Sequence, residues 1–163
     1  MENKISKSAE ELGIETLESF CQEIHSRLGL KDDEVTCIIQ DVVTVVFLRK
    51  GKNYKESKTK VPQVWMKTEC FKLCFIQHNS NTVELYWIET FAKCKGMGTD
   101  IMNTILDVAD ELGVKVRAIP ADFDHGHNGT KAFAMLRRLR EWYVSFGFQN
   151  SIIKKAVYTY NPS

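Results

Sequence analysis

No stretch of this 163-residue chain is apolar for long enough to cross a bilayer. The longest largely apolar run, Val42 to Leu48, falls well short of the roughly 20 residues that a membrane helix needs. A signal-type apolar segment at the N-terminus is also lacking, so the chain reads as cytoplasmic, with no membrane role. None of its five cysteines, at 21, 37, 70, 74 and 94, forms a Cys-x-x-Cys pair, and their number is odd. A disulfide scaffold is thereby excluded and a reduced protein predicted, in which the sequon Asn128-Gly129-Thr130 has no glycosylation context. Charge of one sign is missing as well: 22 basic against 21 acidic residues leave +1, which offers nucleic acid nothing global to bind. Internal repeats and low-complexity segments are absent.

What is present is ordinary globular usage, 44% hydrophobic and 26% charged, in a length that suits one domain over 1–163 with a real core. Charge is uneven only locally, with nine acids against four bases in residues 1–34 and eight bases against two acids in 49–72. Both read as solvated surfaces. Leu17, Phe20, Cys21, Ile24 and Leu28 recur at helical spacing until Gly29. The β-branched run Val35 to Leu48 predicts one long strand or two short ones, and Gly51 to Lys60 a mobile polar loop. Phe71 to Gln77 and Val83 to Glu89 flank His78-Asn79-Ser80-Asn81 as an antiparallel hairpin with a four- or five-residue loop. Ile101, Met102, Ile105, Val108, Ala109 and Leu112 then share a helix face ended by Gly113, and Val114 to Ile119 forms a short strand parallel to the Val83 strand. After a polar loop, Thr130 caps a helix with Leu136, Leu139, Tyr143 and Phe146 on one stripe and Gly147 at its end; Lys155 to Tyr160 is a last strand.

Between the Val83 strand and the Ile101 helix stands Lys93-Cys94-Lys95-Gly96-Met97-Gly98. Two glycines one residue apart at a helix N-terminus bare several backbone N–H groups to the positive end of the helix dipole, a usual way to hold phosphate. Lys93 and Lys95 add charge there. A Rossmann loop would place a third glycine where Ile101 stands, and a Walker loop would place a lysine after Gly98.

The element order, this loop and Tyr143-Val144-Ser145-Phe146-Gly147-Phe148 together resemble the GNAT superfamily of CoA-dependent N-acetyltransferases. The resemblance covers residues 83 to 148, while the first 80 residues agree in element order. It implies an α/β fold, a strongly twisted mixed sheet flanked by helices on both faces. It implies acetyl-CoA as co-substrate and a primary amine as acceptor. The family's pyrophosphate loop, Arg or Gln followed by x-x-Gly-x-Gly, falls on Lys93, Cys94, Lys95, Gly96, Met97 and Gly98, with Thr99 next. In the family the preceding strand splays from its parallel neighbour and its free backbone pairs with pantetheine, which here assigns Tyr86, Trp87 and Ile88. Tyr143 matches the family's acid for the departing thiolate.

Glu84, on the central strand, is the candidate base; by strand alternation it shares a face with Tyr86 and Ile88, while Glu89 points to the other. Asp122, Asp124, His125 and His127 crowd the loop before the last helix, where the family often contacts its acceptor; acceptor binding or plain solvation are the readings there, their spacing fits no zinc pattern, and no metal is expected. Three departures from the family stand out: Lys93 keeps the charge but lacks the planar fork of Arg, Cys94 replaces a small residue, and Leu136 stands where an Asn often contacts CoA. They keep open an alternative, a non-catalytic CoA-binding or interaction module in which the Gly51 to Lys72 region or Arg137, Arg138 and Arg140 meet an acidic partner. A homodimer is compatible with either.

Overall fold

In the computed structural model of the protein, residues 13–47, 54–91, 96–120, 129–154 and 156–163 are described. Their order is α1 (Glu15–Leu28), a 3-10 turn (Asp32–Glu34), β1 (Val35–Phe47), β2 (Tyr54–Lys67), β3 (Phe71–Asn79), β4 (Thr82–Thr90), α2 (Met97–Leu112), β5 (Lys115–Ala118), α3 (Gly129–Ser145), β6 (Gln149–Asn150) and β7 (Tyr158–Tyr160). The strands form one mixed sheet in the order β1-β2-β3-β4-β5-β7-β6, in which β4 and β5 are the parallel pair. This is the α/β architecture that the element order implied.

α1 forms where the sequence places its stripe: Leu17, Phe20, Cys21 and Ile24 are buried, and Gly29 closes the helix with φ 63°. Its N-terminus is fixed by the Leu17 N–H, which donates to Gln77 Oε1 at 2.9 Å. The Phe20 ring meets Phe75 edge-on at 5.5 Å, so α1 covers the sheet face that carries Leu73 and Phe75. α2 packs against α1 and adds Ile101, Met102, Ile105 and Val108 to the same core, and Arg27 of α1 pairs with Glu111 of α2. The other face carries a row across four strands, Gln63, Ile76, Glu84 and Arg117, set by register. The first three of these are buried, as is Cys74 on the same face.

Three expectations change. The polar stretch from Tyr54 to Lys60 is strand, not loop, because each residue pairs with β1 in an unbroken register from Val35↔Met66 to Phe47↔Tyr54. Partner strands override the weak β preference of Lys, Glu and Ser. The β3–β4 connection is shorter than four residues, since β3 runs to Asn79 and a register shift between Gln77 and Asn79 absorbs His78. The last strand is only Tyr158–Tyr160, and the two-residue β6 beside it carries no alternation to announce it.

Candidate functional site

The site is shaped by a break in β4. Parallel pairing with β5 stops at Leu85↔Ala118, although β4 continues to Thr90. Among the described residues, Tyr86 to Thr90 thus have no ladder partner on the β5 side. At the same point the β3 side shifts register: Cys74 opposes Trp87, Phe75 opposes Leu85, and Tyr86 is the extra residue. A bulge bends its strand and increases local twist. With a bulge on one side and a partner that ends on the other, β4 runs on past its last parallel pair, and among the described residues Tyr86, Trp87 and Ile88 form an edge unpaired on the β5 side.

That bulge overturns the expected alternation. Glu84 faces the same side as Trp87 and Glu89, opposite Ile76, Cys74 and Lys72, while Ile88 joins Leu85 and Val83 on the face of α1. Simple period-two counting fails because one added residue inverts every side chain beyond it.

Beyond this edge stands the N-terminus of α2. Gly96 caps it in the left-handed region at φ 82°, with no side-chain cap bond, and Met97, Gly98 and Thr99 form its first turn. The first N–H groups of a helix have no partner within it, so this end presents donors and a positive dipole. A Cβ built on Gly98 would lie 3.7 Å from Thr90 Cγ2 and 3.8 Å from Trp142 Cζ2. The end of β4, the first turn of α2 and the last turns of α3 therefore converge on Gly98. Lys93, Cys94 and Lys95 lie outside the described residues, as do Asp122, Asp124, His125 and His127.

Tyr143 sits on that part of α3, one residue from Trp142. It is buried, with its ring edge-on to Trp142 at 5.4 Å and to Phe148 at 5.1 Å. Phe148 in turn contacts Tyr160 on β7. Burial pushes the Tyr143 phenol above its ordinary range, so it keeps its proton throughout neutral and mildly alkaline conditions.

Glu84 has a partner that sequence reading missed. Arg117, its register neighbour on β5, donates from Nη1 to Glu84 Oε1, and the side chains are only 17% and 8% exposed. Burial still wins: it raises the Glu84 carboxyl, and the guanidinium offsets only part of the rise. Arg117 Nη1 also lies 3.5 Å from His78 Nδ1, and desolvation together with Arg117 and Lys154 lowers the His78 pKa. Arg117 stands on a four-residue strand, too short to show which charged neighbour it would meet. Lys72 was equally silent in sequence; its Nζ lies 4.9 Å from the Trp65 ring and 5.6 Å from the Trp87 ring, a cation over two aromatics.

The expectation of a fully reduced chain is corrected: Cys21, Cys37 and Cys74 are free, whereas Cys70 is disulfide-bonded. Spacing in sequence could not reveal this, because pairing depends on distances set by the sheet. A cavity of about 640 Å³ opens at the opposite end of β4, between the start of α1 and the end of β3. Some of its polar groups bond one another: Thr16 Oγ1 donates to the Ser80 carbonyl, and Gln77 spans Leu17 and Asn79. Among the described residues no group of three or more His, Cys, Asp or Glu could hold a metal ion, and no helix is long and apolar enough to cross a membrane.

No protein-family model matches this chain, and no curated protein matches it significantly. Among solved structures, the chain is similar to that described as "Crystal structure of Anti-CRISPR protein AcrVA5", with 17% sequence identity and a TM-score of 0.48, over 61% of this chain and 98% of that one.

Proposed function

We propose that this protein is an acyl-CoA-dependent N-acetyltransferase that passes the acetyl group of acetyl-CoA to a primary amine. The observation that carries the reading is a coincidence of place: the strand that loses its parallel partner at Leu85 runs toward the helix that begins at Gly96 with an open N-terminus. Few functions need an unpaired strand edge and a phosphate-holding helix end side by side. Pantetheine needs the first, because its amides pair as a strand would, and the CoA pyrophosphate needs the second. In this proposal the backbone of Tyr86, Trp87 and Ile88 holds pantetheine. Lys93, Cys94, Lys95, Gly96, Met97, Gly98 and Thr99 hold the pyrophosphate.

Acetyl-CoA supplies an acyl carbon activated as a thioester. Tyr143, protonated through its burial, gives a proton or a hydrogen bond to the departing sulfur. Glu84, one residue before the last parallel pair of β4, takes the amine proton directly or through water; burial raises its carboxyl in the direction a base requires. The engagement of Glu84 with Arg117 favours one second reading, a CoA-binding protein without transfer. Native mass spectrometry of the purified protein tests what both share: co-purifying or added CoA should remain bound, and failure of CoA and acetyl-CoA to bind would sink both.

A substitution at Gly98 separates the helix end from mere packing. A Cβ there would meet only ordinary van der Waals contacts with Thr90 and Trp142, and an acid in the first turn suits the helix dipole. Gly98→Asp should therefore fold normally while its carboxylate occupies the field meant for pyrophosphate. CoA affinity is expected to fall tenfold or more, about 1.4 kcal/mol per decade. Unchanged affinity by calorimetry in a folded variant would remove the pyrophosphate from this helix end.

A further inference from the structure

Lys72 stands on β3, on the sheet face away from α1, and is half-buried. Register sets its company. Cys74, two residues on, lies between Trp65 of β2 and Trp87 of β4, and the Lys72 Nζ rests over both indoles, 4.9 Å from the first ring and 5.6 Å from the second. An amine held by two ring faces has given up much of the freedom of a surface lysine. Glu84 shares this face, beside Ile76. Ile76 and Lys72 are four residues apart, roughly 14 Å along the strand, and the lysine leans into that gap, since both its rings belong to the Cys74 row. Cys74 registers both neighbours: burial raises its thiol most, Glu84 raises it further, and Lys72 lowers it.

We propose that Lys72 is a self-acetylation site, to whose Nζ the protein transfers an acetyl group from acetyl-CoA in cis. The inference rests on the acetyltransferase reading, in which the backbone of Tyr86, Trp87 and Ile88 holds pantetheine; the amine already stands over the side chain of one residue of that edge. Lys67, its register partner on β2, is exposed, as are Lys31, Lys115 and Lys154.

The step balances without a further reagent. The Lys72 ammonium gives one proton to solvent, and the nitrogen lone pair attacks the thioester carbon. A C–N bond forms, and the C–S bond breaks with its electron pair on sulfur. Nitrogen loses its second proton through Glu84 to solvent, the thiolate takes one from Tyr143 or water, and the products are an N-acetyl-lysine and the CoA thiol. The amide carries no charge, so the modified side chain loses its cationic hold on Trp65 and Trp87.

The test incubates the full chain with acetyl-CoA carrying a deuterated acetyl group and maps the label by digestion and mass spectrometry. Label should reach Lys72 about tenfold faster than Lys67 or more, because an amine held beside the thioester reacts as though concentrated. Equal labelling of the two, or label on other lysines alone, would overturn the proposal. The rate constant at Lys72 should not depend on protein concentration; one that rises in proportion to it would assign the transfer to a second copy and end the claim that it occurs in cis. With sub-saturating acetyl-CoA, Gly98→Asp should slow labelling of Lys72 by the same tenfold or more expected for its CoA affinity. Undiminished label in that variant, with CoA affinity lost, would mark chemistry that needs no CoA site and would sink the idea. Tryptophan emission supplies a second readout: once CoA has been removed, it should differ between acetylated and untreated wild type and stay constant in Lys72→Arg, which keeps a cation for the rings but cannot form this amide. An equal change in both proteins would break the link to Lys72. A chain that binds CoA yet takes no label on Lys72 overturns self-acetylation alone, and thiol release with a panel of amines then decides whether the acetyltransferase reading survives it. Failure to bind CoA and acetyl-CoA at all would bring both down.

Discussion

Tyr143→Phe is expected to lower kcat and kcat/KM together, by roughly 10 to 10³, while KM for acetyl-CoA stays the same. The reason lies in what the two side chains share. Both fill the space between Trp142 and Phe148, where Tyr143 makes two edge-on ring contacts, so stability should barely change. Only the hydroxyl differs, and it matters only if charge develops near it. Sulfur is neutral in the thioester and anionic as it leaves, so a donor there acts on the transition state and not on ground-state binding. Because burial holds the phenol above its ordinary range, Tyr143 adds no limb of its own to the pH–rate profile below about pH 10. A thiol-release assay against a panel of amines measures the effect. Equal activity of wild type and variant would return Tyr143 to packing alone. A wild type that binds CoA yet releases no thiol with any amine would favour the non-catalytic reading.

The elements that sequence identified best were those whose periodicity comes from one local rule. α2 runs Met97–Leu112, with its closing glycine where spacing put it and with Ile101, Met102, Ile105, Val108 and Ala109 of its expected face buried but Leu112 exposed, and α1 likewise follows its stripe. What escaped was set by partners distant in sequence. Tyr54 to Lys60 became strand through β1, and Tyr86 became a bulge because Phe75 and Cys74 skip it. Propensity at Tyr86 gives no hint of this, since any residue can be the extra one. A splay of β4 from its parallel neighbour was expected only through the family resemblance; what the pairing records is a bulge at Tyr86 and an end to the β4–β5 ladder at Leu85↔Ala118. Arg117 and Lys72 were invisible for the same reason, because their roles begin only when neighbouring strands bring a carboxylate or two indoles within reach.

Glu84→Gln is the substitution that decides between a base and an ion-pair partner. Gln keeps the shape and an oxygen that can still accept from Arg117 Nη1, so the buried guanidinium retains a hydrogen bond and loses only its counter-charge. Glu84→Ala would strand it, at a cost of about 3–5 kcal/mol, and would confuse folding with chemistry. The sign of the pH effect follows from the raised carboxyl. In the folded protein Glu84 holds its proton to higher pH than in the unfolded chain, so its contribution to stability is complete below the ordinary Glu range. That contribution is lost as pH rises through the folded value; wild type should lose stability across this window, and Glu84→Gln should stay flat there. Catalysis runs the other way, because a base works only when deprotonated. The wild-type rate should climb across that window, whereas the variant should be slower by about 10² below about pH 8, lack that climb, and bind acetyl-CoA almost as before. Should rate and profile both survive in Glu84→Gln while the stability difference appears, Glu84 serves Arg117 and the sheet, and the amine loses its proton to another group.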